Sequence, residues 1–160
     1  DNMGNGTVIK SGDVQVMSAG TGITHSEFNA SQEFEVKVLQ IWLFPNKKNV
    51  IPRYDQRAIR DLEVENEFYQ ILSPNEEDQG VWIHQNSWFS MGEFSEQKTT
   101  EYKLNSIDNG VYAFIIEGEA TIEGQKLEKR DGFGIWDTDS ISISAEKDSR
   151  ILLMEVPMVI

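Results

Sequence analysis

A short turn-and-strand unit occurs twice in this chain, and an internal repeat constrains architecture more firmly than any local propensity. Asn5-Gly6-Thr7-Val8-Ile9-Lys10-Ser11-Gly12-Asp13 and Glu123-Gly124-Gln125-Lys126-Leu127-Glu128-Lys129-Arg130-Asp131 both read as a glycine turn, a short strand, a charged turn and an aspartate. Superposing Asp13 on Asp131 sets Ile143 opposite His25 and Ala145 opposite Glu27. Around Ile143 the run Ser140-Ile141-Ser142-Ile143-Ser144 alternates strictly, as a half-buried strand does. The chain therefore reads as two related β modules, with polar, ligand-type residues kept only in the first.

The rest of the pattern is also β. Residues 1–45 read as strands: Phe34, Val36 and Val38 alternate with charged neighbours, and Ile41-Trp42-Leu43-Phe44 is apolar on both faces, as in a strand buried between layers. Residues 46–80 read as a connector, opened by the turn cluster Pro45-Asn46-Lys47-Lys48-Asn49 and closed by the polar loop Ser73 to Gly80. It holds the one short helical possibility, Tyr54 to Arg60. Residues 81–160 read as a second module. There Val111 to Glu117 is rich in β-branched and aromatic residues, Gly118-Glu119 is expected to make a hairpin into Ala120-Thr121-Ile122, and Arg150 to Val156 closes the unit. Many short strands with glycine turns and almost no helix predict an all-β sandwich or jelly roll. The second module has a run of strands, Val81 to Ile122, ahead of its repeat unit, and the first has nothing ahead of Asp1. The first barrel is therefore expected to be incomplete and the chain a truncated form. Its unpaired strands are expected to meet a missing N-terminal fragment or a second copy in a homodimer.

Composition narrows the function. With 14 basic residues against 27 acidic ones and a net charge of -13, the chain lacks the phosphate-neutralising charge on which nucleic-acid binding rests. No segment approaches the ~18 apolar residues of a membrane span, and no charged start followed by an apolar run marks a signal peptide. With 0 cysteines there is no disulfide, thiolate ligand or cysteine nucleophile, which fits a reducing compartment and a cytoplasmic location. No phosphate-cradling Gly-x-x-x-x-Gly-Lys-Ser/Thr loop and no Gly-x-Ser-x-Gly elbow occurs.

The chemistry-bearing residues are His25 and Glu27, in His25-Ser26-Glu27. On a strand their side chains point the same way, and an imidazole beside a carboxylate is a donor pair that iron, nickel, copper or manganese accepts. The other histidine, His84, alternates with apolar neighbours in Val81-Trp82-Ile83-His84 and reads as structural.

Gly12-Asp13-Val14-Gln15-Val16-Met17-Ser18-Ala19-Gly20-Thr21-Gly22-Ile23-Thr24-His25-Ser26-Glu27 resembles the signature of the pirin family. Leu39-Gln40-Ile41-Trp42-Leu43, Pro52-Arg53-Tyr54, Gly134-Ile135-Trp136-Asp137 and Ile151 to Pro157 are similar to that family's further landmarks, in the same order. The resemblance implies a bicupin, two double-stranded β-helix barrels in tandem, with a single metal in the N-terminal barrel. The metal implied is Fe(II), with Ni, Cu, Mn or Zn as alternatives. The family's site joins a His-x-His pair from an earlier strand to a His and a Glu, which His25 and Glu27 match. The earlier pair has no counterpart here, so this chain alone is expected to hold metal weakly. Several bacterial relatives oxidatively open the flavonol ring of quercetin, which implies a metal-dependent dioxygenase with a flavonol-like substrate and Glu27 as ligand or catalytic base. The alternative implied is a non-catalytic, redox-sensing regulator acting through protein contacts.

Overall fold

Period-two burial organises the strands that build this fold's core. A computed structural model describes residues 6–159. Among them there is no α-helix, and the strands in chain order are β1 (Asp13–Ser18), β2 (Arg53–Ala58), β3 (Phe68–Ser73), β4 (Val81–Trp82), β5 (Trp88–Phe94) and β6 (Lys98–Lys103). They continue as β7 (Asn109–Glu117), β8 (Glu119–Ile122), β9 (Gln125–Glu128), β10 (Gly132–Ile135), β11 (Ser140–Ala145) and β12 (Ser149–Pro157).

Three sheets result: a ribbon of β1 and β2, a six-stranded sheet in the order β10-β7-β12-β5-β3-β4, and a four-stranded sheet in the order β6-β11-β8-β9. The two larger sheets enclose the main core, which includes Phe94, Ile115, Ile122, Ile143 and Leu153. Ile141, Ile143 and Ala145 of β11 point inward while Ser142 faces solvent, as the alternation predicts. Burying each such isoleucine contributes roughly 1.5–3 kcal/mol. The strands of this module form two facing hydrogen-bonded sheets around one core, the jelly-roll arrangement expected of it, without closing into one continuous barrel.

β12 does more than close the module. It is an inner strand, hydrogen-bonded to β5 on one side and β7 on the other. Its run Ile151-Leu152-Leu153-Met154 is apolar on both faces because both are covered. Ile151 and Leu153 enter the main core, while Leu152 and Met154 enter a second cluster with Tyr69, Ile71, Phe89 and Met91. Glu155 follows on the main-core side, fully buried, and Tyr102 of the facing sheet donates to it.

The β1–β2 ribbon covers part of the sheet's outer face. Val14 and Val16 join the second cluster, and Ile59 and Leu62 follow from the turn after β2. Arg53 ties the ribbon to β4. Its guanidinium lies 3.9 Å from the centre of the Trp82 ring and its Nη1 donates to the Trp82 carbonyl. His84 packs edge-on against the same ring at 4.9 Å.

Four expectations are corrected. Tyr54 to Arg60 is no helix: Arg53–Ala58 is a strand and only Ile59–Asp61 makes a 3-10 turn, because β1 offers β2 a full antiparallel ladder. Gly118 does not start a hairpin. With φ +75° it turns the chain out of the six-stranded sheet into the four-stranded one. The hairpin is β8–β9, closed by Glu123 and Gly124 at φ 48° and 78°, the signs a two-residue type I′ turn requires. The span read as connector, 46–80, contains β2 and β3, and β3 already belongs to the six-stranded sheet.

The fourth correction concerns Phe34 to Phe44, expected as strands. Residues 35–43 make no backbone hydrogen bond among the described residues. A strand is defined by its partner, and none lies alongside. The segment meets the rest of the fold at its end, where Leu43 packs into the second cluster and the Asn46 N–H donates to the His84 carbonyl past β4. Phe34, Val36, Val38, Trp42 and Phe44 are left exposed, Trp42 at 86%.

Part of the repeat survives as geometry. In both copies the aspartate side chain accepts from the backbone N–H three residues earlier, Lys10 or Glu128, and its own N–H donates back to that residue's carbonyl. Gly12 and Arg130, one residue before each aspartate, both sit at positive φ, 83° and 77°.

Candidate functional site

A row of polar residues lies on the ribbon face turned away from the core. Directly opposed residues of an antiparallel pair share a face. The register Asp13↔Ala58, Gln15↔Gln56, Met17↔Tyr54 therefore puts these six side chains on the side opposite Val14 and Val16. Their hydrogen bonds run along the face. Tyr54 donates to Gln56 Oε1 at 2.6 Å, and Gln56 Nε2 donates to Asp13 Oδ2 at 2.6 Å and to the Val8 carbonyl at 3.2 Å. An open hollow lies over this face, lined by Thr7, Val8, Lys10, Asp13, Tyr54, Gln56, Ala58 and Arg60.

Electrostatics follow from these contacts. The Lys10 backbone N–H, helped by the Gln56 amide, holds the Asp13 carboxyl below its ordinary range. Burial, with the charges of Asp13, Glu27 and Asp55, raises the Tyr54 hydroxyl above its usual value. The carboxylate of Glu27 thus acts on the same polar face.

Glu27 is reached from β1: Gln15 Nε2 donates to Glu27 Oε1 at 3.1 Å. The strand expected to align His25 with Glu27 is not formed. Residues 23–29 carry no sheet pairing, and both side chains are exposed. With no flanking strand, the segment lacks the ladder that would impose period-two alternation. Imidazole nitrogen and carboxylate oxygen are donors that a divalent first-row metal accepts, so the residue types fit such an ion. Among the described residues no group of three or more His, Cys, Asp or Glu converges. Sequence reasoning passed over Gln15 and Tyr54. Their signal was period two, which sets Gln15 in phase with Asp13 and Met17.

No helix among the described residues is long and apolar enough to cross a membrane. Comparison with known proteins covers nearly the whole chain. The family profile described as Pirin matches residues 1–43, and the one described as Quercetinase C-terminal cupin domain matches residues 70–156. A protein named quercetin 2,3-dioxygenase from Escherichia coli K12 is 34% identical over 159 residues, covering 99% of this chain and 67% of that relative. A pirin-like protein of Caulobacter vibrioides is 31% identical over 156 residues, covering 97% of this chain and 66% of the relative. Among solved structures, the bacterial pirin YhhW from Escherichia coli in complex with nickel(II) superposes with a TM-score of 0.86 at 32% identity, covering 98% of this chain and 66% of that one. The all-β cupin architecture is shared. The chain spans about two thirds of the length of these relatives.

Proposed function

Because the chain belongs to the pirin family, we propose that its first module supplies His25 and Glu27 to a divalent transition metal, Fe(II) by preference, in a protein that opens the ring of quercetin-type flavonols with O2. The observation that carries this reading is the Glu27 carboxylate, next but one to His25 and hydrogen-bonded onto the polar face of β1. Likeness to a quercetin 2,3-dioxygenase and to a nickel(II)-bound pirin supports the substrate class and the kind of ion. A bound metal would act there as Lewis acid and template for the flavonol oxygens. Glu27 accepts the proton of the substrate hydroxyl, which its acceptor-only oxygens allow. Tyr54, Gln56 and Gln15 line the approach and offer hydrogen bonds to a polyhydroxylated ring.

Two protein donors seldom retain a transition metal against water, so further ligands are needed from beyond the described residues, whether of the same protein or of a second copy. Residues 35–43, with an unpaired backbone and an exposed apolar row, are the surface such a partner covers.

The test is oxygen uptake with quercetin by the protein assembled with those further ligands, after adding Fe(II) or Ni(II), with bound metal measured by elemental analysis. Uptake that requires the metal, and loss of most bound metal in His25→Ala, are expected. Full metal retention in His25→Ala, or uptake without metal, refutes the assignment.

A further inference from the structure

We infer that Gln15 is a positioning residue that fixes the Glu27 carboxylate over the polar face of β1. The inference rests on the reading of Glu27 given above. Gln15 sits in the middle of β1, whose other face is locked by Val14 and Val16 in the core, so the amide has a rigid base. Glu27 lies on a stretch without sheet pairing, and the Gln15 amide links its carboxylate to the ordered strand.

The neighbouring amide cannot take over. Gln56, directly across from Gln15, is already engaged: its Oε1 accepts from Tyr54 and Thr7, and its Nε2 serves Asp13 and Val8. Orientation then follows from chemistry. A carboxylate only accepts, so the nitrogen end of Gln15 must face it and the Gln15 carbonyl turns away. One hydrogen bond uses one of the carboxylate's roughly four acceptor sites, so Glu27 stays open to an ion or a substrate hydroxyl while Gln15 holds it.

Gln15→Met keeps the length of the side chain and removes the donor. Ni(II) binding to the full chain, followed by calorimetry, is expected to weaken by roughly 10–100-fold, the usual loss when a hydrogen-bonding supporter of a ligand is removed. The thermal midpoint should stay unchanged, which separates positioning from a structural role. Unchanged Ni(II) affinity overturns the inference. Should the wild-type chain take up too little Ni(II) to titrate, as a two-donor site allows, the side-chain amide resonance of Gln15 at neutral pH decides the positioning question. It is expected to move in Glu27→Ala, and a resonance that stays in place overturns the inference.

Discussion

Replacing Glu155 tests how the second module is held together, and the outcome can be worked from its surroundings. The carboxylate is fully buried on β12 and accepts five hydrogen bonds. Its Oε1 receives the N–H groups of Asn105 and Ser106 and the amide of Asn109, and its Oε2 receives the Tyr102 hydroxyl and the amide of Asn105. It thus ties β6, β7 and the loop between them to β12. Glu155→Leu keeps the bulk and strands the donors. Those of Asn105 and Ser106 lie near the surface and regain water, but Tyr102 and Asn109 are sealed in. Two buried donors left without acceptors cost ~1–3 kcal/mol each, so about 4 kcal/mol in all. That is a large share of the ~5–15 kcal/mol by which domains are stable. At ~2–4 °C per kcal/mol for a chain of this size, the melting midpoint should fall by roughly 8–16 °C. Glu155→Gln keeps an oxygen for the three donors at Oε1 and lets the Tyr102 hydroxyl turn to accept. Only the Asn105 amide then meets another donor, at about 1–2 kcal/mol. Circular dichroism melts and urea titrations of both variants supply the test. A Glu155→Leu protein within 1 °C of wild type, or a Gln variant less stable than the Leu variant, would refute the reasoning.

Three further outcomes are expected. Ile143→Asp puts an unpaired charge at a position of 0% exposure and should unfold the second module, whereas Ser142→Asp on the exposed face should cost under ~1 kcal/mol; urea midpoints distinguish them, and equal values would invert the phase of β11. Burial, reinforced by Glu155 beside Tyr102 and by Glu93 beside Tyr69, raises both hydroxyls above the ordinary tyrosine value. The folded state therefore keeps protons that the unfolded chain releases above pH ~10, so stability should be level below that and fall as pH rises beyond it; a Tyr102→Phe variant with an equally steep alkaline loss would contradict this. Gly118→Ala should lower the melting midpoint markedly, since φ is +75° and the added methyl would lie 2.7 Å from the Ser149 Cα; a neutral result would mean that the passage between sheets is made differently.

Much of the second module could be read from its pattern. The strict alternation of Ser140 to Ser144 gave the phase of β11, and Arg150 to Val156 was placed as the closing segment, though not as an inner strand covered on both faces. The hairpin was misplaced because Gly118 and Gly124 carry the same local signal, while which sheet each flanking strand joins is settled by distant pairing. Glu155 was invisible for a related reason: its five donors come from a segment some 50 residues away. In the first module, Phe34 to Phe44 has the composition of a strand but no partner among the described residues. Strand propensity measures fit to a neighbouring surface, so it misleads where that surface is absent. His25 and Glu27 could be named from their motif, but the ribbon face beside them depends on β2, which was read as helix.

The place of β12 between β5 and β7 also sets a schedule for synthesis. A ribosome releases β5 and β7 well before residues 149–157, and until then each lacks the neighbour that fills its ladder. The six-stranded sheet cannot zip progressively from one end as the chain emerges. It waits for an insertion, in which a late strand enters a gap and closes both sides together. Such long-range pairing is slow, and it leaves open edges exposed to other nascent chains in the meantime. Chaperone demand and losses during expression should therefore respond more to changes in residues 149–157 than to equally buried changes in the hairpin β8–β9, whose partners emerge side by side.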